Sequence, residues 1–170
     1  THEGASASRA VDGDKNPSYF EGSVSHTMGS DAWWQMGLDV GSVGATIEEV
    51  VIWNRMDCCQ ERLDWSTVDL LNESDETLAS LTIGENVVIE TLVFGFVTGV
   101  FAVKIIKAPS DTASPYLALA EVEVRGYLSM PVGLLSGTAS QSSTYSEMSA
   151  SRAIDGNYDQ DVNGFSVSHT

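Results

Sequence analysis

Apolar positions in this chain come in short runs, and turn-forming residues cut the runs at close intervals. Residues 47–53 are rich in Val and Ile and stop at the polar Asn54-Arg55. Residues 78–83, 87–92, 99–106 and 117–125 have the same character. Short β-branched and aromatic runs of this kind read as strands. Within the last of them Glu121-Val122-Glu123-Val124-Arg125 alternates strictly, as a half-buried strand does. Clusters of Gly, Asn, Asp and Ser separate the runs, and no long segment repeats with a period of 3.6. The pattern predicts an all-β chain folded as an antiparallel β-sandwich.

The pattern also recurs. Ser6-Ala7-Ser8-Arg9-Ala10-Val11-Asp12-Gly13 returns as Ser149-Ala150-Ser151-Arg152-Ala153-Ile154-Asp155-Gly156, and Ser23-Val24-Ser25-His26-Thr27 as Ser166-Val167-Ser168-His169-Thr170. Both words share an offset of 143, and residues 1–27 match 144–170 at 13 positions. Two words at one spacing and one offset read as a tandem duplication. On this reading residues 1–128 form a first copy, 129–137 a linker punctuated by Pro131 and Gly133, and 138–170 the opening of a second copy. Thr138 to Ser143 have no counterpart before Thr1, so the first copy is expected to lack its opening strand. Residues 138–145 of the same chain, or of a neighbouring one, would then supply it, the second case giving self-association by strand complementation.

Composition narrows the function. The 170 residues carry 8 Lys+Arg against 24 Asp+Glu, a net charge of −16, with 42% hydrophobic residues. That suffices for one core and excludes a disordered chain. Such an acid excess argues against nucleic acid and against anionic lipid surfaces, both of which need clustered bases. The most apolar run, 92–106, is interrupted by Gly95, Gly99 and Lys104 and is too short to span a bilayer, so no membrane insertion is expected. With no initiator Met and no leader pattern, the chain reads as a processed product or a piece of a longer one. Asn72-Glu73-Ser74 is an N-glycosylation acceptor triplet, a pattern that also arises by chance.

The densest polar cluster is Asn54-Arg55-Met56-Asp57-Cys58-Cys59-Gln60-Glu61-Arg62-Leu63, directly after a strand. Two bases, two carboxylates and both cysteines of the chain fall within eight residues. Its plain reading is a solvated loop with local ion pairs. Adjacent cysteines weigh against that, because bonding neighbours closes a strained ring with little general stabilising use. A vicinal disulfide offers a small rigid apolar face beside polar groups, which suits one face of a sugar ring.

The words Ala7-Ser8-Arg9-Ala10-Val11-Asp12-Gly13, Ser25-His26-Thr27, Trp33-Trp34-Gln35 and Asn54-Arg55-x-Asp57-Cys58-Cys59-x-Glu61-Arg62-Leu63 together resemble the F-type lectins, or fucolectins. Ala120-Glu121-Val122-Glu123-Val124 and the second opening Ala139-Ser140-Gln141-Ser142-Ser143-Thr144-Tyr145 fit as well. The resemblance implies a discoidin-like jelly-roll sandwich that binds terminal L-fucose on glycans and is extracellular, secreted or at the cell surface. It places the sugar among His26, Arg55 and Arg62, with the Cys58–Cys59 disulfide against the ring carbons and Tyr19 or Phe20 around the methyl group. Imidazole and guanidinium are suitable readers of sugar hydroxyls, since they supply fixed donors and an acceptor. Asp57 and Glu61 are expected to hold the two Arg forks.

The resemblance further implies a structural Ca²⁺ held by the carboxylate of Asp12, the hydroxyl of Ser23, Glu121, and the carbonyls of Arg9, Asp14 and Ala120. An all-oxygen set suits that ion, although Asp12-Gly13-Asp14 also reads as a simple turn. Three departures stand out. Val24 and Ala120 replace a cysteine pair common in the family, Met56 replaces a Gly and is expected to crowd the pocket, and residues 36–45 run longer than usual.

Catalysis is not expected: no nucleophile–base pair or paired carboxylates emerge, and a dithiol enzyme would have spacer residues between its cysteines. The alternative to a sugar-binding module is a structural tandem β-sandwich of an extracellular fibre or coat, with a weak or silent sugar site.

Overall fold

At two points the chain packs so closely that only glycine fits, and both fix the framework. An added Cβ at Gly126 would lie 2.1 Å from the Thr46 carbonyl oxygen, and one at Gly44, where φ is +73°, would lie 2.8 Å from the carbonyl carbon of Gly99. These contacts belong to a computed structural model that describes residues 4–29, 31–108 and 115–128, besides 138, 140–143 and 151. Thr1–Met130 and Pro131–Thr170 form two compact units; the described residues lie almost wholly in the first. The linker, the second copy and the strand exchange expected of residues 129–170 fall outside the described residues apart from those few positions.

Eight strands form two four-stranded sheets: β1 Ser25–His26, β2 Trp33–Gly37, β3 Ala45–Asn54, β4 Thr67–Leu71, β5 Thr77–Thr82, β6 Ile89–Val100, β7 Ala102–Ile106 and β8 Ala118–Leu128. One sheet has the order β1-β8-β3-β6, the other β2-β7-β4-β5. Every pairing is antiparallel. The expected all-β sandwich is therefore observed. Between the sheets lie Ile47, Val50 and Ile52 of β3, Val68 and Leu70 of β4, Val103 and Ile105 of β7, and Leu119 and Val122 of β8.

The strands differ from expectation in one instructive way. The apolar run 92–106 divides between sheets: β6 pairs with β3, and β7 pairs with β2 and β4. The change occurs at Phe101, whose N–H donates to the Leu71 carbonyl and whose carbonyl accepts from Leu38 N–H, each at 2.8 Å. Strands β2 and β4 were not anticipated. Each has five residues and mixes polar with apolar positions, so neither stands out as a run.

Short 3-10 turns precede the sheets. The turn Ala7–Val11 buries Ala10 and is tied to β2 by Trp34, whose indole Nε1–H donates to the Ala7 carbonyl at 3.0 Å. That anchor lays residues 9–14 beside β8. No helix among the described residues is long and apolar enough to cross a membrane.

Candidate functional site

Four segments meet at one end of the sandwich: the Tyr19–Glu21 turn, β1, the loop after β3, and residues 115–117 ahead of β8. Buried Asn54 starts the loop. Its Nδ2 donates to the Gln60 carbonyl at 3.0 Å and to the Val87 carbonyl at 2.8 Å, which folds residues 54–60 back on themselves. Leu63, fully buried, anchors the far end in the core. Between them Cys58 and Cys59 are disulfide-bonded. Cys59 has φ of +59°, unusual for a side-chain-bearing residue, and begins the 3-10 turn Gln60–Arg62 that presents Arg62. Residues 115–117 are clamped to β1, with Thr27 N–H donating to the Leu117 carbonyl at 3.0 Å and Leu117 N–H to Thr27 Oγ1 at 2.8 Å.

The three polar residues expected at the site come together. Arg62 Nη1 is 2.8 Å from His26 Nε2, and His26 Nδ1 is 2.6 Å from the Thr27 carbonyl. A carbonyl only accepts and a guanidinium only donates, so Nδ1 carries the proton and Nε2 accepts. The imidazole is thus neutral in this arrangement. The Arg55 side chain, 7% exposed, forks onto Asp57, with Nε–Oδ1 at 2.6 Å and Nη2–Oδ2 at 3.2 Å. Tyr19 N–H adds a third bond to Asp57 Oδ2 at 3.2 Å. The Arg55 hydrogen bond, outweighing partial burial, holds the Asp57 carboxyl below its ordinary value.

Aromatic rings join these pairs. The Arg55 guanidinium lies 4.6 Å from the Tyr19 ring centroid, Tyr19 lies edge-on to His26 at 5.8 Å, His26 lies 5.5 Å from Tyr116, and the Arg62 guanidinium lies 5.3 Å from Tyr116. Two guanidinium groups therefore flank a run of three rings, Tyr19, His26 and Tyr116, across the site. Together with Phe20 and Cys58 they line a cavity of about 340 Å³.

Several expectations need adjustment. Tyr116 was missed, and its one sequence signal is an aromatic residue after Pro115 just ahead of a strand. Cys59 and Met56 do not line the cavity. Met56, whose N–H donates to the Pro17 carbonyl at 2.9 Å, is thus not part of the cavity wall it was expected to crowd. Glu61 does not hold an Arg fork: it is exposed, and its side chain has no hydrogen bond or ion pair among the described residues. Neighbours on a 3-10 turn point about 120° apart, so Glu61 faces away when Arg62 faces the cavity. Asn72 lies in the β4–β5 turn, where its Oδ1 accepts from Ser74 and Glu76 N–H, both at 2.9 Å, and its Nδ2 donates to Glu76 at 2.8 Å.

The oxygen-rich group lies near the other face of β8. Asp12 Oδ1 accepts from Asp14 N–H at 2.9 Å, Asp14 Oδ1 from Asn16 N–H at 3.0 Å and Asn16 Oδ1 from Ser18 N–H at 3.1 Å, so the loop is a series of Asx turns. Ser23 Oγ donates to the Asn16 and Ser18 carbonyls. Arg9 Nη1 is 3.5 Å from the Val24 carbonyl. Glu121, 4% exposed and next to fully buried Ala120, accepts from Gly13 N–H at 3.2 Å with Oε1. Its Oε2 is buried without a partner, and burial pushes the carboxyl up. No cluster of three or more His, Cys, Asp or Glu side chains able to hold a metal occurs among the described residues. A site here would thus draw mainly on hydroxyl and carbonyl oxygens beside the two carboxylates of Asp12 and Glu121. That donor set fits a hard cation such as Ca²⁺, and the orphaned Glu121 oxygen is the feature a cation would satisfy.

No family model matches the chain. It is 44% identical over 64 residues to Fucolectin-3 of Anguilla japonica, covering 38% of this chain and 34% of that protein. The chain spans only about a third to a half of the length of the curated relatives it matches, 34–45%. Among solved structures, the lectin domain of lectinolysin complexed with Lewis B antigen is 32% identical with a TM-score of 0.65, over 74% of this chain and 87% of that one. A Streptococcus pneumoniae fucose binding module is 28% identical at 0.64, over 75% and 85%. A fucolectin from striped bass (Morone saxatilis) serum is 30% identical at 0.70, over 89% of this chain and 53% of that one.

Proposed function

The chain belongs to the F-type lectin, or fucolectin, family, and on that premise we propose that its His26–Arg55–Arg62 cavity binds terminal L-fucose on glycans. The observation that carries this reading is the convergence of the two Arg side chains, one neutral imidazole and the Cys58 face in a single cavity of about 340 Å³. Two guanidinium groups held in place by Asp57 and His26 present fixed donors to neutral hydroxyls, with little ordering left to be done on binding. Cys58 and Tyr19 give the apolar side of a deoxy sugar a surface to lie on. The module is non-catalytic, as its lectin relatives are.

The same proposal includes a structural Ca²⁺. Glu121, the Ser23 hydroxyl, Asp12 and the carbonyls of Arg9, Asp14 and Ala120 would hold it. Bound there, the ion would neutralise the buried carboxylate and lock residues 9–14 against β8. The duplication between residues 1–27 and 144–170 supports a tandem-repeat lectin, with self-association between copies as a corollary, and the secreted fucolectin relatives support action outside the cell. Retention on immobilised L-fucose, release by free L-fucose and loss of retention in Arg55→Ala test the sugar assignment. A folded wild-type chain that flows through unretained contradicts it.

A further inference from the structure

Asn72-Glu73-Ser74 is an acceptor triplet for N-linked glycans that the sugar cavity does not use. No other triplet in the chain has the pattern, because Asn16-Pro17-Ser18 is excluded by its central Pro. The fold puts the triplet in the turn between β4 and β5, where residues 73–78 are all exposed. Asn72 N–H donates to the Glu76 carbonyl at 2.9 Å, and Ser74 N–H to Asn72 Oδ1 at 2.9 Å, so an Asx turn spans the triplet. The turn lies far from the cavity. Phe101 N–H donates to the carbonyl of Leu71, the last residue of β4, and the Phe101 ring packs on Gly44, just before β3 begins. The cavity loop instead follows Asn54, where β3 ends.

We propose that Asn72 carries an N-linked glycan, which shields the open edge of the second sheet. The proposal rests on the reading of the chain as one that acts outside the cell, since the transfer occurs in the secretory compartment. Strand β5, which follows the turn, is the edge of its sheet and pairs with β4 alone among the described residues. Its sequence, Thr77-Leu78-Ala79-Ser80-Leu81-Thr82, has no charge and no Pro, the usual means of blunting an edge. Its one irregularity, a register shift at Leu78, leaves that side chain 43% exposed. A bulky, solvated glycan at the start of this strand keeps a second edge from pairing with it. In the transfer, the bond between sugar C1 and the pyrophosphate oxygen of a lipid-linked oligosaccharide breaks, and a C1–Nδ2 bond forms. Nδ2 gives up one of its two hydrogens as a proton, and the lipid pyrophosphate departs. The remaining hydrogen can still serve the bond to Glu76, 2.8 Å away, and Oδ1 keeps both of its bonds.

The test secretes the full chain from cultured animal cells as wild type, Asn72→Gln and Ser74→Ala. Intact mass is read before and after treatment with an N-glycan-cleaving amidase. Wild type should carry a glycan that the amidase removes, and both variants should carry none. The amidase leaves a carboxylate in place of the glycosylated amide, so peptide mapping should find that change at position 72 alone. This reading needs only wild type and decides the matter if a variant is not secreted. A wild type without a glycan, or variants that keep one, overturns the site. Treated wild type should aggregate after a shorter lag than untreated wild type at matched concentration, and equal lags overturn the shielding role. Retention on immobilised L-fucose should be the same before and after treatment, because the turn stands at the other end of β4. Retention that rises on treatment would put the glycan over the cavity and overturn its placement. A chain that is glycosylated but never retained supports the glycan and refutes the fucose reading, so the two fail separately.

Discussion

Arg62 and His26, 36 positions apart in sequence, act as one unit: Nη1 of the first donates to Nε2 of the second at 2.8 Å. The bond fixes the imidazole tautomer and the direction of the guanidinium together. Lysine cannot reproduce it, because an ammonium has no planar fork to bond His26, stack on Tyr116 and still face the cavity. Arg62→Lys is therefore expected to weaken fucose binding at least about tenfold, roughly 1.4 kcal/mol, with the melting temperature nearly unchanged. Titration and thermal unfolding of the same sample check both halves.

Asp57 compensates the charge of a nearly buried Arg55. Asp57→Ala leaves that charge unpaired and should cost about 3 kcal/mol, the lower end for breaking a buried pair. The pH dependence follows from the sign of the shift. A carboxyl held below its ordinary 3.8 contributes stability above that value and loses it only as the pH falls through the lowered folded value. Denaturant unfolding should thus give a constant gap between wild type and Asp57→Ala from pH 7 to about pH 5, closing only in stronger acid. A gap that closes near neutral pH would refute this.

Tyr116 works through its ring, which contacts both His26 and Arg62. Tyr116→Phe should keep fucose affinity within about twofold, whereas Tyr116→Leu should lose about threefold to tenfold, the scale of a cation–ring contact. Equal losses in the two variants would point to the hydroxyl instead.

Calcium should stabilise the wild type through Glu121. At a hundredfold excess over its dissociation constant, an ion that binds only the folded state adds about 2.7 kcal/mol. The melting temperature should rise with added Ca²⁺ and fall with chelator, and Glu121→Gln should remove the response. An unchanged response in that variant would place the ion elsewhere.

Legibility in sequence tracked how local each feature is. Strands β3 and β8 were readable because their Val and Ile residues are contiguous or alternate, yet the alternation put Glu121 outside, where the structure buries it to 4% exposure. The strand pattern reports only which face meets the other sheet; the opposite face is covered by residues 9–14, a contact that spans more than 100 positions. Likewise the run 92–106 could not announce that the chain changes sheets at Phe101, since both strands are equally apolar. In the site, the motif Arg55 to Arg62 with His26 identified the polar groups. Tyr116, 54 positions beyond Arg62, is brought in beside the Thr27–Leu117 hydrogen bonds, a long-range contact. Glu61 was misassigned because its spacing beside Arg62 says nothing of which side of a 3-10 turn each faces.

The most direct measurement is calorimetric titration of the folded, Ca²⁺-supplemented chain with L-fucose, with galactose as control, in wild type and Arg55→Ala. Saturable binding of fucose to wild type, absent for galactose and absent in Arg55→Ala, is the predicted result. A wild type indifferent to fucose, or an Arg55→Ala chain that binds it equally well, would contradict the assignment of this cavity.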